Sequence, residues 1–165
     1  MKRPPTRRDE RRPDNVKRRL LAAPADELLE HLLSSVSYRG SEKHKMHPLA
    51  FGLSISGGSK GDATLCDEHA GFTNDKAHSI PRLVERGLRA GLVGHGNLIW
   101  TVGDDGWIFE GRPTNVVTSE YHGYPVLDWE SIARPVYNRY SEWAHTSGRT
   151  LDRIAAEQCK SKYGF

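Results

Sequence analysis

The sequence is short of everything that would make a chain cross-linked, secreted or membrane-spanning. It has two cysteines in 165 residues, Cys66 and Cys159. That supply demands no disulfide and suits a reducing compartment. Hydrophobic residues make up 36%, and no apolar run approaches the roughly 20 residues of a transmembrane helix. The start is charged with no apolar stretch behind it, so no secretory signal is expected. Asp9, Glu10 and Asp14 argue against a transit peptide, which avoids acids. The expected location is the cytoplasm, with no membrane partner. Aromatics are few, yet four Trp, six Tyr and four Phe can still build a modest core.

What is present is unevenly placed. The net charge is +3, but residues 1–20 hold nine Lys/Arg against three acids, leaving fifteen basic and eighteen acidic residues in the remainder. The positive charge is therefore a property of the tail. Such a segment, with Pro4, Pro5 and Pro13 among its arginines, reads as disordered. It could meet RNA, DNA or an acidic protein through counterion release, or serve only as a solvated leader. The expected organisation is a disordered basic tail over 1–20 and a single α+β domain over 21–165.

Within that domain the patterning predicts an N-terminal helix, a small antiparallel β-meander packed on a helix, and two C-terminal helices. Leu28, Leu29, Leu32, Leu33 and Val36 form one apolar stripe after Pro24, Asp26 and Glu27, which suit a helix start. Asn74 and Ser79 are both possible caps for a second helix, read as starting at Ser79 with Pro81 in its first turn and ending at Gly91. Its buried face is Leu83, Val84 and Leu88; Arg82, Arg86 and Arg89 lie opposite, as a solvated face or a nucleic-acid surface. Residues 97–102 and 107–110 flank Gly103-Asp-Asp-Gly106 and predict a hairpin. Pro113 is expected to close the second strand, with a third strand over Thr114–Ser119. A helix from Asp128 is expected to kink at Pro135, and the last helix to turn Leu151, Ile154, Ala155 and Cys159 inward.

Two clusters carry chemistry. The first is Tyr38-Arg-Gly-Ser-Glu-Lys-His-Lys-Met-His-Pro48, with Arg39, Lys43, His44, Lys45 and His47 close together in a long glycine-rich stretch. The second runs through Glu110, Arg112, Ser119, Tyr121 and His122. Imidazoles beside cations can hold a phosphate and move protons near neutral pH. RNA can be cleaved this way without a metal. A base takes the 2′-OH proton, an acid protonates the 5′ leaving oxygen, and cations stabilise the charged phosphorane. His44 and His122 are the expected proton-transfer pair, and Lys43, Lys45 and Arg112 the phosphate contacts, with Arg39 beside them. Glu110 serves either as an alternative base or to orient Arg112, while Ser119 and Tyr121 contact phosphate or sugar. No cofactor is expected. His44-x-x-His47 and Cys66-x-x-His69 have ligand-like spacing and keep a tetrahedral zinc site as an alternative, but this mixed set is not a strong zinc pattern, and no metal is assigned.

Lys43-His44-Lys45 and Ala50-Phe51-Gly52, with Trp107 and Ser119 later, resemble the catalytic domains of small bacterial ribonuclease toxins of the colicin D type. Glu110, Arg112 and His122, in that order, are similar to the Glu/Arg/His set of barnase-like enzymes in the same wider superfamily. The resemblance covers roughly residues 38–125. It implies a defence toxin cutting tRNA or mRNA, held silent by an inhibitory protein, antitoxin or ribonucleoprotein partner that the basic tail would contact. Tyr38-Arg39-Gly40-Ser41 also resembles the first-strand arginine motif of ADP-ribosyltransferases, which would need Glu110 or Glu120 as a late catalytic glutamate. A third alternative is a non-enzymatic accessory protein that binds nucleic acid or a partner through its arginines.

Overall fold

The computed structural model describes residues 18–38, 74–115 and 117–165. Arg39, Lys43, His44, Lys45, the Ala50-Phe51-Gly52 segment and the His/Cys spacings at 44–47 and 66–69 lie outside the described residues.

The fold is mixed α/β, with four helices and one four-stranded sheet among the described residues. In chain order the elements are α1 (Asp26–Ser35), β1 (Ser37–Tyr38), α2 (Asn74–Arg89), β2 (Ile99–Val102), β3 (Ile108–Asn115), β4 (Glu120–Pro125), α3 (Ala133–Thr146) and α4 (Thr150–Tyr163). A 3₁₀ turn at His95–Asn97 leads into β2. The sheet order is β1-β4-β3-β2. The expected antiparallel meander is present as β2-β3-β4, but β1 joins it parallel to β4, so the sheet is mixed.

Side-chain alternation divides the sheet into two faces. Ile99 and Tyr121 face α1 and α2 and pack with Leu32 and Leu88. Trp100, Val102 and Ile108 face α3 and α4 and pack with Val136, Tyr140, Ala155 and Cys159. Helix α2 lies very close to β2. A Cβ on Gly87 would sit 2.1 Å from the Trp100 carbonyl oxygen, so only glycine permits this approach.

Several boundaries differ from expectation for identifiable reasons. Strand β3 runs through Pro113 to Asn115, and the third strand of the meander is Glu120–Pro125 rather than Thr114–Ser119. Proline is tolerated there because β3 has outrun β2, whose register ends at Ile99↔Gly111, and because a bulge follows at Pro113/Asn115. Helix α2 starts at Asn74 and keeps Pro81 inside it. Helix α3 starts at Ala133, which places Pro135 in its first turn, where a missing N–H costs nothing, instead of at a kink.

Helix α4 is rotated from the expected phase. Asp152, Ala155, Ala156, Cys159 and Tyr163 face inward, while Leu151 is 64% and Ile154 48% exposed. Asp152 is drawn in by Arg86, whose Nε donates to its carboxylate at 3.0 Å. The chain is also anchored ahead of residue 21. Leu20 bridges to Gly94, and the Leu21 amide donates to the Val93 carbonyl.

Candidate functional site

Strand register builds the site. Glu110 and Arg112 are two positions apart on β3 and so share a face, the one turned toward α3 and α4. Across the ladder, Tyr124 stands opposite Glu110 and His122 opposite Arg112. Trp100 on β2 stands opposite Glu110 on its other side. A cation and an imidazole therefore stand side by side at the end of the sheet, over a carboxylate one pair further in.

Glu110 is the centre of this arrangement and is fully buried. Both of its oxygens accept hydrogen bonds. Oε1 accepts from Arg112 Nε at 2.6 Å and from the Tyr124 hydroxyl at 2.5 Å. Oε2 accepts from Arg18 Nε and Nη2, at 3.0 and 2.8 Å, and from the Trp100 indole at 3.0 Å. Burial pushes the Glu110 carboxyl up, but Arg18, Arg112 and the Tyr124 hydroxyl outweigh it and hold it below the ordinary carboxylate range. Burial works against the charge on Arg18 too, yet Glu110 and Glu130 keep that guanidinium firmly protonated. Tyr124 is pushed above its ordinary range, by burial and by the Glu110 charge. An ionised, saturated carboxylate of this kind is suited to orienting Arg112 and badly suited to taking a proton from a substrate.

Arg112 keeps about a quarter of its side chain exposed, with its guanidinium carbon 5.3 Å from the centre of the Tyr124 ring. Its Nε is held by Glu110, while Nη2 is buried and has no hydrogen-bond partner among the described residues. His122 is half-buried, and its Nδ1 shares a 2.7 Å hydrogen bond with Thr114 Oγ1. That contact fixes the plane of the ring.

The other expected residues fall elsewhere. Tyr121 is buried on the opposite face of the sheet, where its hydroxyl donates to the Asn97 carbonyl at 2.8 Å and burial pushes it up to about 12. It does not converge with Arg112 and His122. Ser119 sits in the β3–β4 turn with a positive φ of 53°, and its carbonyl accepts from the Ser37 amide. The arginines of α2 are engaged by carboxylates. Arg86 is buried and pairs with Asp152 and Asp104, Arg82 pairs with Asp104, and Arg89 with Glu85. They form neither a uniformly solvated face nor an open basic surface. Cys159 is buried, and its thiol is pushed up to about 12 by burial, which leaves it a poor nucleophile.

The residues that sequence reasoning missed are Arg18, Trp100, Tyr124 and Glu130. Tyr124 and Trp100 become predictable once the meander register is known, since both lie opposite Glu110. Arg18 carried no signal, being one of nine basic residues in the first twenty. Among the described residues no group of three or more His, Cys, Asp or Glu could hold a metal, and no helix is long and apolar enough to cross a membrane. Comparison of the chain with protein-family models, with curated proteins and with solved structures finds no match.

Proposed function

We propose that the protein is a metal-independent endoribonuclease of the toxin kind, acting in the cytoplasm on tRNA or mRNA. The observation that carries the reading is the pairing of Arg112 with His122 across β3 and β4, with Arg112 held by the buried Glu110. Directly opposed side chains in an antiparallel pair lie about 5 Å apart at Cβ, a spacing on which both can reach one phosphodiester. Arg112 stabilises the charge that builds on the phosphorane. His122 moves a proton between the reacting oxygens and solvent, with its ring steadied by Thr114. Glu110 positions Arg112. The second proton-transfer group is His44, with Arg39, Lys43 and Lys45 as further phosphate contacts and Ser119 at the turn. The 2′-oxygen bonds to phosphorus as its proton leaves, and the P–O5′ bond breaks as the leaving oxygen gains one. The products are a 2′,3′-cyclic phosphate and a free 5′-OH. A cell carrying such an enzyme needs an inhibitory partner, which the basic tail is suited to contact.

The test is incubation of the purified protein with cellular RNA and with short defined RNAs in the presence of EDTA. Discrete fragments ending in cyclic phosphate are expected. Arg112→Ala and His122→Ala should each lower the rate by about 100-fold or more while the fold persists. Intact RNA with folded wild-type protein, at any pH from 5 to 8, would end the ribonuclease reading.

A further inference from the structure

Arg18 belongs by composition to the basic tail, yet its side chain is only 10% exposed. The arm that carries it is pinned along its backbone. Leu20 bridges to Gly94, Leu21 donates to Val93, and Arg139 Nη1 donates to the carbonyls of Leu21 and Gly91 at 2.6 and 3.0 Å. From this arm the guanidinium reaches two carboxylates. Nε and Nη2 donate to Glu110 Oε2, and Nη2 also lies 2.8 Å from Glu130 Oε1. Glu130 in turn accepts from the Leu127 amide at 2.7 Å, so it cannot swing away without losing that bond.

The two oxygens of Glu110 therefore serve two regions of the chain. Oε2 is held by the arm, with the Trp100 indole as a neutral helper, and Oε1 holds Arg112. Charge in the cluster balances only when the arm is docked, with Arg18 and Arg112 against Glu110 and Glu130. Without Arg18, two carboxylates would share one cation in a buried place. One of them must then take a proton or turn toward solvent. Either response weakens what fixes Arg112, since Glu110 is its hydrogen-bonded anchor and its Nη2 has no partner among the described residues to take over.

We infer that Arg18 is a positioning residue for Arg112, acting through Glu110, so that an ordered Arg112 requires the N-terminal arm to be docked. The inference deepens the ribonuclease reading and its activity arm rests on that reading, whereas the geometric arm does not. A partner that grips the basic tail would then act on the site through this single side chain.

The experiment compares wild type, Arg18→Ala, Arg18→Lys and Asp152→Asn. The readouts are the Arg112 Nε–H and Trp100 indole N–H resonances, together with kcat and KM on a short RNA. Asp152→Asn is a control, since it loosens a buried ion pair that does not touch this cluster. Arg18→Ala is expected to displace both resonances and to lower kcat on the order of 100-fold, the effect of a small misplacement at a reacting centre, with KM within about twofold. Arg18→Lys should give a smaller displacement and partial rescue, because it keeps the charge but not the two-pronged contact. Asp152→Asn should leave both resonances and kcat in place. If Arg18→Ala does not fold, the Arg18→Lys resonances decide. Unmoved Arg112 and Trp100 signals with unchanged kcat in the folded Arg18 variant overturn the inference. Wild-type protein that leaves RNA intact sinks the ribonuclease reading alone, and the resonances then judge the coupling.

Discussion

Among the described residues two arginine–carboxylate clusters are buried, and they differ in how completely they are closed. Beside the edge strand β2, Arg86 has a partner for each of its nitrogens. Nε donates to Asp152, Nη1 to the Val102 carbonyl and Nη2 pairs with Asp104. It caps the Val102 carbonyl and ties α2, α4 and the β2–β3 turn together, which is a structural task. On the face of the sheet, Glu110 is just as closed, but Arg112 is not. Its Nη2 has no hydrogen-bond partner among the described residues, its side chain is partly exposed, and an imidazole stands beside it. Buried ion pairs alone say little about function. A partly exposed cation fixed by a fully satisfied anion, with an imidazole beside it, is a more specific sign, because the fold secures the group while part of its side chain still meets solvent.

The sharpest way to break this comparison is to remove the anion from the face cluster. Glu110→Ala leaves Arg18 and Arg112 with their charges buried or half-buried and without their shared partner. The expected loss is about 3–5 kcal/mol in urea unfolding, together with loss of RNA cleavage. At the edge cluster, Asp152→Asn still leaves Arg86 with Asp104 and a carbonyl. It should cost about 2 kcal/mol, with cleavage per folded molecule unchanged. Equal losses of cleavage in the two variants would show that stability, not geometry, links Glu110 to the reaction.

How much of this was legible depends on what each residue had to compete with. The β2–β3 hairpin was readable because β-rich runs flank Gly103 and Gly106, and Gly106 does take a φ of +84° against the backbone of Gln158. The shared face of Glu110 and Arg112 follows from two-residue alternation once β3 is recognised. The two-residue β1 has no pattern to read, and its parallel pairing with β4 comes from tertiary packing. Arg82, Arg86 and Arg89 look alike in sequence, yet only Arg86 is buried, because Asp152 arrives from 66 positions later. Pairings across such distances leave no local trace, and Arg18 with Glu110, 92 positions apart, is another case.

Acid titration sharpens the contrast inside the face cluster itself. Glu110 has a folded pKa below its unfolded value of about 4.3. Its contribution is therefore fully present above that value and lost as pH falls through the lower, folded one. Glu130 has the opposite sign. Burial raises its pKa, offset only in part by Arg18 and the Leu127 amide, so it weakens the fold at neutral pH and this cost is relieved on acidification. Between about pH 6 and pH 3, Glu130→Gln should steepen the loss of stability relative to wild type in the upper part, above about 4.3, and Glu110→Gln should flatten it in the lower part, below that value. Urea midpoints measured across that range check both. Parallel curves for the three proteins would mean that neither carboxylate titrates differently in the folded chain.

The smallest expected effect tests whether charge pairing sets the rotation of α4. By hydrophobicity alone Leu151 and Ile154 belong inside, yet both are exposed while Asp152 is buried against Arg86. The small side chains of Ala155 and Ala156 beside it let the helix approach closely, and the Tyr140 hydroxyl donates to the Asp152 carbonyl at 3.2 Å. These contacts hold one phase of the helix against the burial of one leucine, an exchange worth about 2 kcal/mol. Leu151→Lys should accordingly change stability by no more than about 0.5 kcal/mol, as a surface substitution does. An inward Leu151 would instead cost about 2–5 kcal/mol on losing its apolar side chain. A large loss on urea unfolding would place Leu151 in the core, and with it would fall the claim that Arg86 and Asp152 orient this helix.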